Sequence, residues 1–275
     1  MNREDSQHWP APKKLFRRWQ KRKNRLLDNL PVLLERCRAT GRAELVHELR
    51  VALRRLRFYL RLGRPLLGSE DATQFLGWAR RISRASGPVR DLDVALEWLQ
   101  GRCHAEEVSE RILEKRAKAW RPFAALLKVP GETLLDRLQK NEKGAKARNK
   151  LTKRYKKIES RIRRNVCGDA RAFFKFNEEQ QHQVRRLLRR WRYQREIGLQ
   201  RGNTEKDKLL SVLIELQEAT GARQNLILVE NALKCFRNLP YMNDLCRALA
   251  AEQALATDRI RAAFQALAPF CPERA

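Results

Sequence analysis

His47, Arg50, Arg54, Arg57, Arg61 and Arg64 recur at three- and four-residue intervals. On a helix turning about 100° per residue they fall on one stripe. A row of guanidinium groups suits one chemistry in particular, the binding of anions. Each planar fork donates two parallel hydrogen bonds to phosphate or carboxylate oxygens and keeps its charge at physiological pH. A solvated helix face normally interleaves Glu with Lys, but Glu48 is the only acid between 47 and 64. Like charges one turn apart cost roughly 0.2–0.5 kcal/mol per pair, so this row carries about 1–2.5 kcal/mol of repulsion that an anion would relieve. Leu49, Leu53, Leu56 and Leu60 form a second stripe on the same helix, facing a core.

The pattern returns. His182, Arg185, Arg189, Arg190 and Arg192 follow His47, Arg50, Arg54, Arg55 and Arg57 at one constant offset. Further on, SGPVRDLDVALEWL is echoed by TGARQNLILVENAL, pairing Gly87 with Gly221, Asp91 with Asn225, Leu92 with Leu226 and Leu99 with Leu233. Two matched segments in the same order imply two similar halves.

A single helical histidine more often holds a structural hydrogen bond than a ligand. The place of His47 and His182 in both stripes points to phosphate contact. A polyanion would favour their charged form, and the flanking arginines oppose it. His8 and His104 read as incidental. Trp191, at the position of Leu56, reads as core.

Lys and Arg total 60 against 32 acidic residues, a net charge of +28. This balance selects polyanionic partners: nucleic acid, inorganic polyphosphate or an anionic membrane. With 43% hydrophobic residues the 275-residue chain can build a core. The N-terminal residues lack the apolar run of a secretory signal, and no stretch approaches the ~18 apolar residues of a membrane span. The expectation is a cytoplasmic protein with no membrane partner. Cys37, Cys103, Cys167, Cys235, Cys246 and Cys271 are scattered without a C-x-x-C pair, which predicts buried reduced thiols.

The elements that would position the stripes are helical throughout, since no β-alternation of any length appears. Residues 1–12 read as a loose arm. From Lys13 a helix carries Leu15, Trp19, Leu26, Leu30 and Leu33 on one face and Lys14, Arg18, Lys21 and Arg25 on another, as far as Thr40 and Gly41. The His47 helix stops near Pro65 and Gly68. A third helix covers 70–85, Gly87 and Pro88 break it, and a fourth begins at Pro88. A fifth spans about 104–128.

Residues 140–164 hold twelve Lys or Arg against Glu142 and Glu159, yet Leu151, Tyr155, Ile158 and Ile162 keep helical spacing. This predicts an amphipathic helix with Lys146, Lys150, Lys153, Lys157, Arg161 and Arg164 along its basic side. The His182 helix follows, then one at about 205–219, a break at Thr220 and Gly221, one at about 222–237, and a last at about 240–267.

The order VHELRVALRRLRFYLRLGRPLL then GPVRDLDVALEWL resembles the CHAD family, the conserved-histidine α-helical domains, from about residue 13 to 268. It carries that family's H-x-x-R-x-x-x-R-R-x-R signature and its R-D-x-D segment. LQEATG in the second half looks like the family's L-Q-x-x-x-G turn, with Gln224 and Asn225 in place of Arg90 and Asp91. The resemblance implies an all-α fold of two pseudo-repeated antiparallel four-helix bundles with long helices, here 13–130 and 131–275. It also implies inorganic polyphosphate in a basic channel between them.

The residues expected there are His47, Arg50, Arg54, Arg57 and Arg61 with His182, Arg185, Arg189 and Arg192. Lys14, Arg18, Lys21, Arg25, Lys150, Lys153 and Lys157 would add looser attraction. Arg90, with Asp91, either contacts the anion or caps and braces the fourth helix.

No P-loop, G-x-S-x-G, H-E-x-x-H or paired-carboxylate cluster is present, and the E-x-E-x-K signature of the triphosphate hydrolases that accompany many CHAD domains is absent. The expectation is a non-enzyme with no catalytic residue, metal or cofactor. The rival reading is DNA or RNA held through the same basic surface by nonspecific electrostatics. Single-strand binders stack bases on exposed rings. Against that reading, aromatics are only 7% of the chain and lie mostly on apolar faces. A third class is a scaffold addressed to polyphosphate granules or the nucleoid. Protein partners are not legible.

Overall fold

The apolar periodicity resolves into nine α-helices and no strand among the described residues of a computed structural model, namely 9–103, 105–170, 172–199, 207–236, 238–239 and 242–271. In chain order these are α1 (Pro12–Thr40), α2 (Ala43–Leu62), α3 (Ser69–Leu99), α4 (Glu106–Ala124), α5 (Glu132–Gln139), α6 (Gly144–Ala170), α7 (Glu178–Gly198), α8 (Lys208–Leu233) and α9 (Met242–Leu267). The chain is all-α, as its periodicity predicts. Most of the expected arm, residues 1–8, lies outside the described residues, as does His104. Trp9 packs edge-on against Tyr155 of α6 at 5.9 Å.

Local chemistry sets the boundaries. α1 begins on Pro12, whose missing N–H is no loss in a first turn. It ends at Gly41 in the left-handed region, φ 61°, where the Gly41 N–H caps the Cys37 carbonyl at 2.9 Å. α7 opens with a reciprocal capping box between Asn177 and Gln180.

Two breaks expected from the sequence do not occur. α3 runs unbroken through Gly87 and Pro88, and α8 through Thr220 and Gly221. A proline inside a helix forfeits one hydrogen bond and costs about 3 kcal/mol. Burial on both sides outweighs it, because each buried large apolar side chain contributes about 1.5–3 kcal/mol. Phe75, Ala79 and Ile82 anchor α3 before the proline, and Val94, Ala95 and Leu99 anchor it after.

The apolar clusters show why both helices must be long. The largest joins α1, α2, the first half of α3, α5 and the adjoining parts of α4, α6 and α7. A second joins the last part of α3, the start of α4, the end of α8 and the start of α9. A third joins the ends of α6 and α9 to α7 and the start of α8. α3 and α8 each pass from one cluster to the next and pack against one another.

The cysteines also depart from expectation. Cys167 and Cys271 form a disulfide that fastens the segment after α9 to α6. Among the free thiols Cys37 is buried, but Cys103, Cys235 and Cys246 are exposed. Scattered spacing in the sequence carries no information about a pairing between positions 104 residues apart.

Candidate functional site: an arginine groove between α2 and α7

The two basic helices are held by their last turns. Trp19 of α1 donates its indole N–H to the Tyr59 carbonyl of α2 at 2.9 Å, and Tyr155 of α6 donates its hydroxyl to the Gln194 carbonyl of α7 at 3.0 Å. Positions 59 and 194 repeat the offset that separates His47 from His182. Arg154 of α6 adds Nε and Nη2 bonds of 3.1 and 3.0 Å to the Arg61 carbonyl. Cations at a helix C-terminus also meet the negative end of its dipole. The helices then meet at Phe58 and Tyr193, whose ring centroids lie 6.0 Å apart.

This contact brings the stripes together. Arg54 of α2 lies in the field of Tyr193 of α7 and acts on Arg185 and Arg189 of that helix. Burial, then Arg185 and Arg54, pull the Arg189 guanidinium down to about 9. Burial and Arg54 pull Arg185 down to about 10. Arg50 is likewise lowered to about 10, by burial first and Arg54 second, with Asp91 and Asp93 opposing. The groups acting on Arg185 and Arg189 are other arginines and Tyr193, with no carboxylate among them.

Arg50 is also a staple. Its Nη1 donates to the Ser83 carbonyl at 3.0 Å and to the Ser86 hydroxyl at 2.7 Å, fixing α2 to α3 just before Pro88. Arg185 takes a looser place, its Nη2 3.6 Å from where a Cβ on Gly221 would stand. The histidines lie at the margins. Burial lowers His47, and Arg90, Arg54 and Arg50 push the same way while Glu97 opposes. Burial lowers His182, with Arg189, Arg185 and Arg186 adding to it against Glu179.

The cationic field continues past the crossing. Burial lowers Arg57, with Arg61, Arg80, Arg186 and Arg190 acting in the same direction. Arg80, Arg186 and Arg190 belong to this field although the sequence reading placed none of them in the site. For Arg186 and Arg190 the signal was available, since they follow His182 by one and two turns.

Other expected residues are placed elsewhere. Arg192 donates to Glu196 at 2.9 Å, one turn along its own helix. Arg18 donates to the Gly198 carbonyl at the end of α7, and its neighbour Arg22 to the Glu196 carbonyl at 2.7 Å. Lys150 pairs with Glu142 at 3.0 Å. Lys14, Lys21 and Arg25 are exposed on α1, as are Lys153 and Lys157 on α6. Arg90 is clamped by Glu97 through bonds of 2.6 and 3.2 Å. Asp91, held above the usual carboxylate range by burial, lies in the field of Arg50 and Arg90.

A cavity of about 810 Å³ opens among α2, α3, α6 and α7. Arg61, Arg80, Arg161 and Arg190 stand around it, and no carboxylate lines it.

No curated protein matches the chain. Among solved structures it resembles the CHAD domain from the plant Ricinus communis, with a TM-score of 0.58 and 19% identity over 90% of this chain and 92% of that one. It also resembles PptA from Streptomyces chartreusis, with a TM-score of 0.60 and 16% identity over 94% of this chain and 97% of that one. At these identities the likeness speaks for the fold. The sequence itself matches the CHAD domain over residues 11–234, and the chain belongs to the CHAD domain family.

Proposed function

We propose that this protein binds inorganic polyphosphate, without cleaving it, along the arginine groove between α2 and α7. Some members of the family bind polyphosphate. The observation that carries the reading for this chain is the crossing of α2 and α7 at Phe58 and Tyr193, which brings Arg54, Arg185 and Arg189 into one field with no carboxylate acting on Arg185 or Arg189. Repulsion built into a fold is relieved when an anion fills it. A linear phosphate polymer offers repeated oxygens at a spacing that forked donors can share.

The non-catalytic reading rests on the groups that line the groove. Guanidinium, imidazole and phenol side chains bind phosphate readily, whereas cleavage needs a metal or a positioned nucleophile. Asp93, a fully buried carboxylate of α3, is engaged by Arg116. No helix among the described residues is long and apolar enough to cross a membrane. We read the protein as cytoplasmic, with polyphosphate granules or the nucleoid as its address.

Nucleic acid is the competing polyanion. Its single strands need exposed rings to stack on, and the rings at the crossing of the two basic helices, Phe58 and Tyr193, are buried. Competition at matched salt between long-chain polyphosphate and single- or double-stranded DNA and RNA tests the reading. Polyphosphate should displace nucleic acid at far lower phosphate concentration, and Arg54→Glu or Arg189→Glu should abolish that advantage. Equal affinity for nucleic acid, or affinity unchanged by both variants, would overturn it.

A further inference from the structure

The cavity among α2, α3, α6 and α7 combines an apolar floor with a cationic rim. Its floor is apolar: Phe58 of α2, Leu76 of α3, Ile158 of α6 and Leu187 of α7. Leu76, Ile158 and Leu187 are half-buried: Ile158 and Leu187 pack on the apolar clusters with one side, and all three leave apolar surface open to the cavity. A bare phosphate chain has no apolar surface to cover them, and leaving them wet forgoes about 25 cal/mol per Å². Its rim is cationic, with Arg61, Arg80 and Arg190 shared with the groove's field and Arg161 beyond it.

Gly77 lies in the wall, and a Cβ there would meet nothing within 4 Å. At about 810 Å³ the space is of the size that holds small organic ligands rather than single ions. The equivalent flank of the other half is closed by charge: Glu196 is the counterpart of Arg61 in the repeat and is paired with Arg192 and Arg55.

We propose that this cavity is a second anion site, for an organic phosphate of nucleotide size whose phosphates lie on the rim arginines and whose ring covers the aliphatic floor. Arginine serves both parts, since its planar head bonds phosphate oxygens and stacks on flat rings. The proposal goes beyond the polyphosphate reading and stands on different residues, Leu76, Gly77, Ile158, Arg161 and Leu187.

The test compares ATP with inorganic tripolyphosphate on the full chain at matched salt, by calorimetry or by displacement of a fluorescent ATP analogue. Charge alone would rank tripolyphosphate first. An apolar floor reverses the order, and ATP should bind about tenfold more tightly. Gly77→Leu grows a side chain into the space while favouring the helix, and should raise the ATP dissociation constant about tenfold while shifting that of long-chain polyphosphate less than about twofold. Arg161→Glu, at an exposed position on the rim, should weaken ATP in the same way. Tripolyphosphate binding as tightly as ATP, or ATP affinity indifferent to both variants, would overturn the proposal. Long-chain polyphosphate titrated into the same preparations keeps the two readings apart, because either can fail while the other holds.

Discussion

Glu196 occupies in the second half the position that Arg61 holds in the first, and the two carry opposite charge to opposite effect. Glu196 Oε1 accepts from Arg192 Nε at 2.9 Å and lies 3.5 Å from Arg55 Nη2, so it quenches one flank of the arginine row. Arg61 instead meets Arg80 and Arg186 and opens onto the cavity. The groove is therefore neutralised on one flank and cationic on the other.

Glu196→Gln should separate stability from binding. The carboxylate is almost wholly buried, and losing it leaves Arg55 and Arg192 partly buried without a counter-charge. Unfolding free energy should fall by about 1–3 kcal/mol. Polyphosphate affinity should rise at the same time, because removing one negative charge beside the arginine row leaves its field more positive. Thermal unfolding with and without polyphosphate checks both signs. A fall in both would show that Glu196 is needed only for folding.

Arg189→Met should do the reverse. It removes a guanidinium held down to about 9 by burial first and by Arg185 and Arg54 next, while keeping an unbranched stem, so the free protein should gain on the order of 1 kcal/mol. Polyphosphate affinity should drop about tenfold, and its dependence on salt should weaken by on the order of one released counterion. Salt-series titrations read the second effect. An unchanged slope would place Arg189 outside the binding path.

The stripes and their repetition were legible because helical periodicity is a local property; Arg190 already stood in the matched row without being given a site role, and Arg186 could have been added from it. What escaped depends on partners remote in the chain. Arg18 reads as a surface cation, but the carbonyl it bonds lies 180 residues away at Gly198. Arg192 reads as one more stripe residue, although Glu196 one turn on was a visible warning. Pro88 and Gly221 read as stops because their propensities are local, whereas the three clusters that carry α3 and α8 through them are assembled by the whole fold.

Binding should strengthen as the solution is acidified. Burial and neighbouring arginines hold His47 and His182 below the ordinary value of 6.5, so both are largely neutral in the free protein at neutral pH. Phosphate oxygens beside them raise those values, so binding takes up protons, and affinity should rise between about pH 8 and pH 5.5. Stability moves the other way. The two histidines bind protons more readily unfolded than folded. Their contribution is complete above the ordinary value and is lost as pH falls from there through the lowered folded values. Titrations across that range, with the His47→Ala, His182→Ala double variant as control, should show a slope that the control lacks. A flat profile in the parent protein would remove both histidines from the site.

The aromatic clamps at the ends of α2 and α7 give the last test. A Cβ on Gly63 would stand 2.0 Å from the Trp19 ring, and one on Gly198 2.6 Å from the Tyr155 hydroxyl. The two glycines are themselves counterparts in the repeat. Each is what lets a ring from α1 or α6 reach a last-turn carbonyl. Gly63→Ala collides with a rigid indole that is fully buried, and should cost about 3 kcal/mol or more. Gly198→Ala meets only the tip of a phenol and should cost about 1–2 kcal/mol, chiefly through a lengthened Tyr155–Gln194 bond. Denaturant unfolding ranks the pair, and Trp19→Phe, which shortens the ring, should recover part of the Gly63→Ala loss and none of that at Gly198. Equal costs, or no recovery, would mean that the approach of the rings does not set where the two basic helices end.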